Sequence, residues 1–467
     1  MQTIKPPSLG STQPQDKLDY GLISLLAGIM FVGLVMLFSA SVSYAEMKYG
    51  NEFFFLIRQS FAIFIGLIAA YIAYQIPLSL WIRKRGYLLL FSLVLLVLVL
   101  LIGTEINGSK RWLPLGIFNF QPSELMKFTA IVFMAAFLTI HKNEVEKGIS
   151  AIFRLSLPFG LMAFLLFLEP DFGSIFVVAM ILAGMLLISG APLSIFVVVM
   201  MPLFLFLGLF FIQDHYRIER MLNFYEPWQD PFGVGYQLIQ ALIAQGSGGW
   251  TGVGLGQSVQ KMLYLPDAHT DFIISIFAEE FGFIGILLLL MTYMAIIYKL
   301  FRIADQAKRA NYQFGALFVY GVSFWVALQI FINVGSNFGL MPTKGLTLPL
   351  FSYGGSSMIL FLIAFAVVLK IEHVSRFYPD PKNSDDYDEK QALEPEVMGQ
   401  SNAVKSSKSK SHNKAGAART GDKPVAKVRA VSPSAGSSNT RAGSGKMTSQ
   451  MKASRFARLS ARLARHT

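Results

Sequence analysis

The segment Tyr264-Leu-Pro-Asp-Ala-His-Thr-Asp-Phe272 ends the longest polar interruption in the sequence and leads directly into a strongly apolar stretch. Its last acid, Asp271, therefore lies where a membrane helix would begin. A carboxylate at such a boundary is costly unless it is paired or used, which makes Asp271 a candidate functional residue. The alternative is an aspartate that caps the helix beginning near Phe272, a common role of Asp. Position alone leaves both interpretations open.

The composition predicts an integral membrane protein. The 467 residues are 54% hydrophobic and only 15% charged, whereas soluble domains carry about 25% charged residues. The mean hydropathy is +0.51. The sequence contains no cysteine, which excludes a disulfide framework, a thiolate metal site and a cysteine nucleophile.

Ten apolar runs predict an all-α polytopic membrane protein with about ten transmembrane helices, each near the ~20 residues needed to cross a bilayer. They lie at residues 20–43, 55–76, 86–103, 123–140, 152–169, 172–190, 192–213, 271–298, 313–335 and 356–371. Short basic loops at 83–85, 142–154 and 299–309 fall on one side, which the positive-inside rule makes cytoplasmic. Both termini are then expected in the cytoplasm.

Four longer polar segments face outward in this topology, at residues 44–54, 104–122, 214–270 and 336–355. Segment 214–270 forms a large extracytoplasmic loop between spans 7 and 8. Loops of this length in compact proteins are usually functional or disordered. This one is too aromatic and apolar for disorder, so we expect it to fold, with a short amphipathic helix at 234–245. Segment 336–355 is dense in Gly and Pro and predicts a tightly folded or re-entrant loop.

The two ends differ from the membrane body. Residues 1–18 are polar and contain proline, so they predict a cytoplasmic tail rather than a cleaved signal peptide. Residues 373–467 predict a disordered basic cytoplasmic tail. Residues 401–467 hold 15 Lys and Arg against one acid, so that the rest of the chain has a net charge of −2. Within the tail, 451–465 is either an amphipathic helix for anionic lipid or a partner protein, or a solvated segment. Nucleic acid is not an expected partner.

Polar side chains that could do chemistry are concentrated in the outward segments and at the heads of the adjoining spans. They are Arg111, Trp112, Glu124, Lys127, Glu169, Asp171, Arg220, His269, Asp271, Lys344 and Ser352. Arginine can bind phosphate oxygens bidentately, and carboxylates suit proton transfer or a divalent metal. The inventory therefore predicts a cavity for a phosphorylated lipid. Glu124 and Lys127, three residues apart on one helix, could instead simply pair with each other.

Other features predict no further chemistry. The glycine-rich run from Gly252 to Gly256 has no strand–turn–helix context, so a dinucleotide site is not predicted, and no organic cofactor is expected. His269 has no histidine partner for a zinc site. Glu279 and Glu280 follow Asp271 by eight and nine residues. We expect them to be structural or gating residues, at least one of them facing the interior and paired.

Over roughly residues 20–372 the chain resembles the SEDS family (shape, elongation, division and sporulation) of polytopic peptidoglycan glycosyltransferases. The resemblance rests on six separated motifs that occur in the family's order. They are Asn107-Gly-x-x-Arg-Trp112, Gln121-Pro-x-Glu124-x-x-Lys127, Pro170-Asp171-x-Gly173, Asp230-Pro-x-Gly-x-Gly-Tyr-Gln237, Leu265-Pro-x-Ala-His-Thr-Asp-Phe272 and Ser352-Tyr-Gly-Gly-Ser-Ser357. The stretches 256–266 and 342–349 look more like the cell-division members than the elongation members. Glu169 is a departure, since Gln is often found there.

The resemblance implies that residues 19–372 form a glycosyltransferase domain that polymerises lipid II, with inversion, during septal cell-wall synthesis. It also implies a multi-pass protein of the bacterial inner membrane at the division septum. Partners would be a class B penicillin-binding transpeptidase and other divisome membrane proteins. Asp271 becomes the catalytic base or the ligand of a divalent cation, Mg²⁺ or Mn²⁺. The candidates for binding pyrophosphate or sugar are Arg111, Trp112, Glu124, Lys127, Arg220, His269, Lys344 and Ser352.

Two other functions fit part of the sequence. A lipid II flippase would also have about ten spans, Gly/Pro-broken segments and buried charges. However, a flippase needs polar groups along a full path, whereas the motif residues here crowd the outward side. A non-catalytic division scaffold that recruits a transpeptidase is the third interpretation, and it is compatible with activity.

Overall fold

The structure is a computed structural model and describes residues 18–377, except 107–108, 115, 117–118, 143–144, 146–149, 195, 199, 202–207, 209–225, 234 and 343–344. Its helices are α1 (Tyr20–Tyr49), α2 (Phe54–Gln75), α3 (Leu78–Ile102), α4 (Pro122–Ile140), α5 (Ser150–Leu168), α6 (Phe172–Ile188), α7 (Tyr236–Gly248), α8 (Ile273–Arg309), α9 (Gln313–Asn337) and α10 (Gly355–Phe377). A short 3-10 helix spans Pro227–Gln229.

Seven of these helices (α1, α2, α3, α4, α8, α9 and α10) are long and apolar enough to cross a membrane. Two shorter apolar stretches, Arg154–Leu168 and Phe172–Ile188, lie in α5 and α6. Nine of the ten predicted spans coincide with helices in the described part of the chain, whereas most of 192–213 lies outside it. The mostly helical architecture is therefore confirmed, and the count of ten stays a prediction. The amphipathic helix predicted at 234–245 corresponds to α7.

Helix α3 begins at Leu78, well before the predicted start at residue 86. Trp81 and Ile82 are buried, while Arg83 and Lys84 on the same turns are exposed. The helix thus buries one face at its beginning and keeps its basic residues on the other. The predicted span begins only after these charges because they lower the mean hydropathy of the sequence there. The helix itself runs through them.

The core lies between α4, α9 and α10, whose membrane-crossing stretches are mostly buried, whereas only 22–33% of the corresponding stretches in α1, α2, α3 and α8 is buried. Helix α2 packs on α10, α8 on α9, and α3 on α4. At the centre Trp325 is fully buried and stacks on Phe361 with 4.4 Å between ring centroids. Offset aromatic pairs of this kind add to the burial of apolar area that holds the helices together.

The expectation of an all-α chain is wrong in one place, because a small antiparallel sheet follows α3. Its strands are β1 (Thr104–Ile106), β2 (Ser109–Pro114) and β3 (Asn119–Phe120), in the order β1-β2-β3. Strands of two to six residues are too short to produce a clear two-residue alternation. The sheet lets the chain reverse between α3 and α4, and it carries Arg111 and Trp112 on its middle strand.

Helix α8 is broken at Gly282, where φ is 66° and ψ is −166°. A Cβ atom at this position would lie 2.3 Å from the backbone nitrogen of Gly252, so only glycine fits. The N–H groups of residues 253 and 254 donate to the carbonyls of 279 and 280 at 2.9 and 3.0 Å. Those of 283 and 284 donate to the carbonyls of 249 and 250 at 2.9 and 3.1 Å. The loop after α7 therefore satisfies the hydrogen bonds that the break leaves open.

Both glutamates next to the break are buried and paired, as predicted. The Glu279 carboxylate accepts from the N–H of Val259 at 3.0 Å. The Glu280 carboxylate accepts from Ser39 at 2.6 Å and from the Lys261 ammonium at 2.9 Å. A buried charge needs such partners, and these partners fix the loop between α7 and α8 against the bundle.

Candidate active site

The polar segments singled out in the sequence converge on one cavity of about 850 Å³. Its walls come from α2, β2, β3, the beginnings of α4 and α6, and the segments 232–233, 236–237 (the beginning of α7), 267–272, 345–347 and 353–357. The charged residues that line it are Arg58, Arg111, Glu124, Asp171, Asp267 and Asp271. Ligand pockets in proteins commonly have volumes of about 300–1,000 Å³, so this cavity is large enough for a bound ligand.

Asp271 is half-buried and lines the cavity. Its side chain lies against Gly345, where a Cβ atom would be 3.1 Å from Oδ2. The N-cap of α8 is Phe272, without a side-chain cap, so the structure does not support the capping interpretation. Burial, and then the negative charge of Asp267, raises the pKa of Asp271 to about 7. A carboxyl that titrates near neutral pH is suited to be a general base.

A tight turn before α8 sets the position of this aspartate. Asp267 has φ 53°, which Asp tolerates better than most residues. Its carbonyl accepts from the N–H groups of Thr270 and Phe272 at 3.1 and 3.3 Å. Burial also raises the pKa of Asp267, an effect that the charge of Lys48 opposes.

His269 is buried beside the cavity and does not line it. Its ring lies 4.4 Å from that of Phe55 and 5.3 Å from that of Tyr44, measured between centroids. Burial, and then the positive charge of Lys48, lowers the pKa of His269 to about 4. The ring is therefore neutral at neutral pH and packs against the wall behind Asp271.

Strand β2 brings Arg111 and Trp112 to the cavity. The Arg111 guanidinium donates to the carbonyl of Glu169 at 3.1 Å and to that of Pro170. The strand is thereby tied to the turn between α5 and α6. The next acid in that turn, Asp171, accepts from the Ser174 N–H at the start of α6 and also lines the cavity.

Glu169, in the same turn, has a fully buried side chain that does not line the cavity. Within the described part of the chain neither of its carboxyl oxygens has a hydrogen-bond partner. Burial, and then the charge of Asp171, raises the pKa of Glu169 to about 9. The side chain is therefore an uncharged carboxylic acid at neutral pH.

Glu124 and Lys127 form the pair that their spacing allows, with 2.6 Å between Oε1 and Nζ. Glu124 lines the cavity, whereas Lys127 is fully buried behind it. The ammonium of Lys127 therefore does not reach the cavity itself, and it affects the cavity by holding the carboxylate of Glu124.

Ser352 is buried and outside the lining, with its hydroxyl accepting from the N–H of Leu348 at 2.9 Å. It shapes the turn that leads to Tyr353 and Gly354. Arg220 and Lys344 lie outside the described residues.

Arg58 is a cavity residue that the sequence analysis missed. It projects from α2, lies 4.3 Å from the ring centroid of Phe54, and is hydrogen-bonded to the side chain of Tyr353. The available signal was a single cation inside the otherwise apolar run 55–76. Such a charge in a membrane span is a default functional candidate.

The described part of the chain contains no group of three or more His, Cys, Asp or Glu side chains that could hold a metal ion. Mg²⁺, however, is often held by one or two carboxylates together with substrate phosphates. The carboxylates lining the cavity fit that mode, with Asp271 as the protein ligand, and do not fit an all-protein metal cage.

These features define a multi-pass membrane protein with a polar, carboxylate- and arginine-lined cavity at one end of a helical bundle. Residues 20–377 match the FtsW/RodA/SpoVE family, described as cell cycle proteins. The chain belongs to this family, and the resemblance inferred from the motifs is confirmed.

Its relatives include a probable peptidoglycan glycosyltransferase FtsW from Hydrogenovibrio crunogenus, 53% identical over 77% of this chain and 92% of that protein. The protein of the same name from Aliivibrio salmonicida is 40% identical over 81% and 95% of the two chains. The rod shape determining protein RodA of Thermus thermophilus superposes with a TM-score of 0.55 at 30% identity, over 79% and 99% of the two chains. A chain of a peptidoglycan synthase complex that coordinates polymerization and crosslinking superposes with a TM-score of 0.62 at 30% identity, over 77% and 98%.

Proposed function

We propose that the protein is a peptidoglycan glycosyltransferase of cell division that polymerises lipid II into glycan strands, with Asp271 as the catalytic base. The observation that carries this assignment is a carboxyl with a pKa of about 7 in an 850 Å³ cavity that also presents two arginines. The relatives named FtsW support both the activity and the role in division.

The chemistry is a single inverting displacement. The donor sugar is α-linked to pyrophosphate, and the product linkage is β. Asp271 takes the proton of the acceptor 4-hydroxyl as that oxygen attacks the anomeric carbon of the donor. The bond from the anomeric carbon to the phosphate oxygen breaks, and its electron pair leaves with undecaprenyl pyrophosphate. General base catalysis of this kind contributes about 10²–10⁴-fold.

The leaving pyrophosphate needs positive charge. Arg58 and Arg111 are the cations that line the cavity in the described part of the chain. The Arg111 side chain already donates to two backbone carbonyls, which holds it in one orientation. Charge-assisted, bidentate contacts from arginine suit phosphate oxygens. Lys127 acts through Glu124, while Arg220 and Lys344 remain candidates from the family resemblance alone.

The remaining site residues act on the sugars or on the cavity wall. Trp112 offers an aromatic face to a sugar ring from the cavity wall. His269 and Ser352 support the wall from behind. In the alternative role, Asp271 would hold a divalent cation, Mg²⁺ or Mn²⁺, which would supply positive charge to the reacting phosphate groups. No organic cofactor is required by the displacement.

The cellular setting follows from the same assignment. The protein would act in the inner membrane at the division septum, with both termini in the cytoplasm. A class B penicillin-binding transpeptidase would crosslink the strands that it makes, beside other divisome membrane proteins. The predicted tail at 373–467 is wrong in its first residues, because 373–377 belong to helix α10 and Val374 and Ser375 are buried. Its remainder, including 451–465, lies outside the described residues.

A glycan-ladder assay tests the proposal. Purified protein, with and without a class B transpeptidase, receives labelled lipid II and Mg²⁺ or Mn²⁺, beside the Asp271→Asn variant. We expect ladders from the wild type and none from the variant. No ladders in any combination, with intact lipid II crossing vesicle membranes, would establish a flippase. If neither ladders nor transport are observed but the transpeptidase still binds, the protein would be a non-catalytic scaffold.

A further inference from the structure

Helix α9 carries three buried amides at a spacing of four residues: Gln329, Asn333 and Asn337. All three side chains are fully buried, and the spacing places them on one face of the helix. Buried amides need hydrogen-bond partners. In this protein each of the three donates to a backbone carbonyl of a segment that forms the cavity wall.

Two of these amides hold the main chain of Asp271. Asn333 donates from Nδ2 to the Asp271 carbonyl at 3.1 Å, and Asn337 donates to the same oxygen at 2.8 Å. In a regular helix the N–H of Ser275 would reach that carbonyl. It bonds instead to the carbonyl of Phe272 at 3.0 Å. The carbonyl of the proposed base is therefore satisfied by side chains of a different helix.

The orientation of Asn337 is fixed by its other contacts. Its Oδ1 accepts from the hydroxyl of Ser275 at 2.8 Å. The amide of Gln245, on α7, donates to the backbone carbonyl of Asn337 at 2.7 Å. An amide turned the other way would point its oxygen at the carbonyls of Asp271 and Asn333, to which Nδ2 now donates at 2.8 and 2.9 Å.

Asn333 links the main chain of Asp271 to the neighbouring wall segment at Leu346. Besides the Asp271 carbonyl, its Nδ2 donates to the carbonyl of Leu346 at 2.6 Å. The preceding residue, Gly345, lies against the Asp271 carboxylate. One side chain thus holds both the residue that bears the carboxylate and the wall on which the carboxylate rests.

We propose that Asn333 and Asn337 are positioning residues that fix the main chain of Asp271 and thereby aim its carboxylate into the cavity. The inference rests on the proposed role of Asp271 as the base. Displacement of a catalytic group by about 1 Å can cost about 100-fold in rate. Contacts that set its backbone therefore act on the chemical step rather than on substrate binding.

The test compares Asn333→Leu and Asn337→Leu with the wild type, since leucine keeps the branching at Cγ and removes the donor. We expect each variant to lower kcat for lipid II polymerisation at least about tenfold while KM stays within about twofold. The control is Gln306→Leu, which removes a side-chain amide of α8 that donates to the hydroxyl of Ser375 at 3.4 Å, away from the cavity. It should keep kcat within about threefold of the wild type.

The outcomes separate the two proposals. Normal kcat in folded Asn333 and Asn337 variants, a rise in KM alone, or an equal loss of kcat in the Gln306 control would overturn the positioning role. An active Asp271→Asn variant would instead overturn the role of Asp271 as the base. If a leucine variant does not fold, Asn→Ser at the same position gives the same comparison, because a helical serine hydroxyl bonds to its own helix backbone.

Discussion

Asp267 and Asp271 line the same cavity, and the negative charge of Asp267 adds to the effect of burial in raising the pKa of Asp271 to about 7. The two acids therefore have different roles. Asp271 is the group whose ionisation matters for proton transfer, and Asp267 tunes the pH at which that ionisation occurs.

The first prediction concerns the pH dependence of polymerisation. Because the base must be ionised, kcat should fall as the pH is lowered through about 7, the pKa of Asp271. Asp267→Asn removes a charge that raises this pKa, so the acid limb should move to lower pH. Initial rates between pH 5 and 9 check this. The control Glu52→Gln removes an exposed acid that does not line the cavity and should leave the limb in place. A limb that does not move in Asp267→Asn would contradict the coupling.

The second prediction concerns stability. The folded-state pKa of Asp271 is raised from 3.8 to about 7, so the folded state holds the proton more tightly than the unfolded state does. Wild-type stability should therefore decrease as the pH rises from about 4 to about 7 and then level off. Asp271→Asn lacks this effect and should unfold at a higher temperature than the wild type at pH 8. The difference should shrink as the pH falls towards 4, measured by thermal unfolding in detergent with a chelator present.

The third prediction concerns Glu169, whose pKa of about 9 keeps it uncharged at neutral pH. A neutral carboxylic acid and a carboxamide have similar size, so Glu169→Gln should retain kcat within about twofold. The raised pKa costs the wild type stability from about pH 4.5 upwards. The variant should therefore be the more stable protein at pH 7, by at least about 2 °C in Tm. The gap should widen towards pH 9. The exposed acid Glu46 gives the control, since Glu46→Gln should show no widening.

The fourth prediction concerns Arg58. Hydrogen bonds to charged groups are worth about 1.5–3 kcal/mol, so Arg58→Gln should raise KM for lipid II about tenfold or more. It should also weaken product inhibition by undecaprenyl pyrophosphate. Arg58→Lys keeps the charge but not the bidentate geometry, so its KM and its product inhibition should lie between those of the wild type and Arg58→Gln. Steady-state kinetics measure both effects, with Arg83→Gln, an exposed cation outside the cavity, as the control. An unchanged inhibition constant would remove Arg58 from the pyrophosphate site.

The fifth prediction concerns the divalent cation. A chelator should lower kcat, and Mg²⁺ or Mn²⁺ should restore it. A cation bound to Asp271 favours the ionised carboxylate, so the acid limb should move to lower pH as the cation concentration rises. A restored rate with an unmoved limb would place the cation on the substrate phosphates alone.

Much of the architecture could be predicted because apolar runs of about 20 residues report membrane helices directly. The alternation of membrane spans also places the longer polar segments between them on one side of the membrane. The convergence of the turn at Asp171, the turn at Asp271 and the loop after Ser352 on one cavity follows from that constraint. The small sheet was missed because strands of two to six residues leave too weak a pattern.

The details of the site depend on contacts between residues far apart in the sequence. The spacing of Glu124 and Lys127 allowed their pairing but did not show that only Glu124 faces the cavity. His269 is removed from the lining by the rings of Tyr44 and Phe55, which come from two other helices. Asn333 lies 62 residues from the carbonyl that it holds. No local pattern reports such distances.

The break at Gly282 divides α8 into a short part before it and a much longer part after it. At 1.5 Å per residue, the part after the break, 283–309, is about 40 Å long and can cross a hydrocarbon core of about 30 Å on its own. The part before it, 273–281, is therefore surplus to the crossing. Its roughly 13 Å form a separate short piece that is hydrogen-bonded to the loop 249–254. Asp271, just ahead of that piece, is therefore held on a segment separate from the part of α8 that is long enough to cross the membrane.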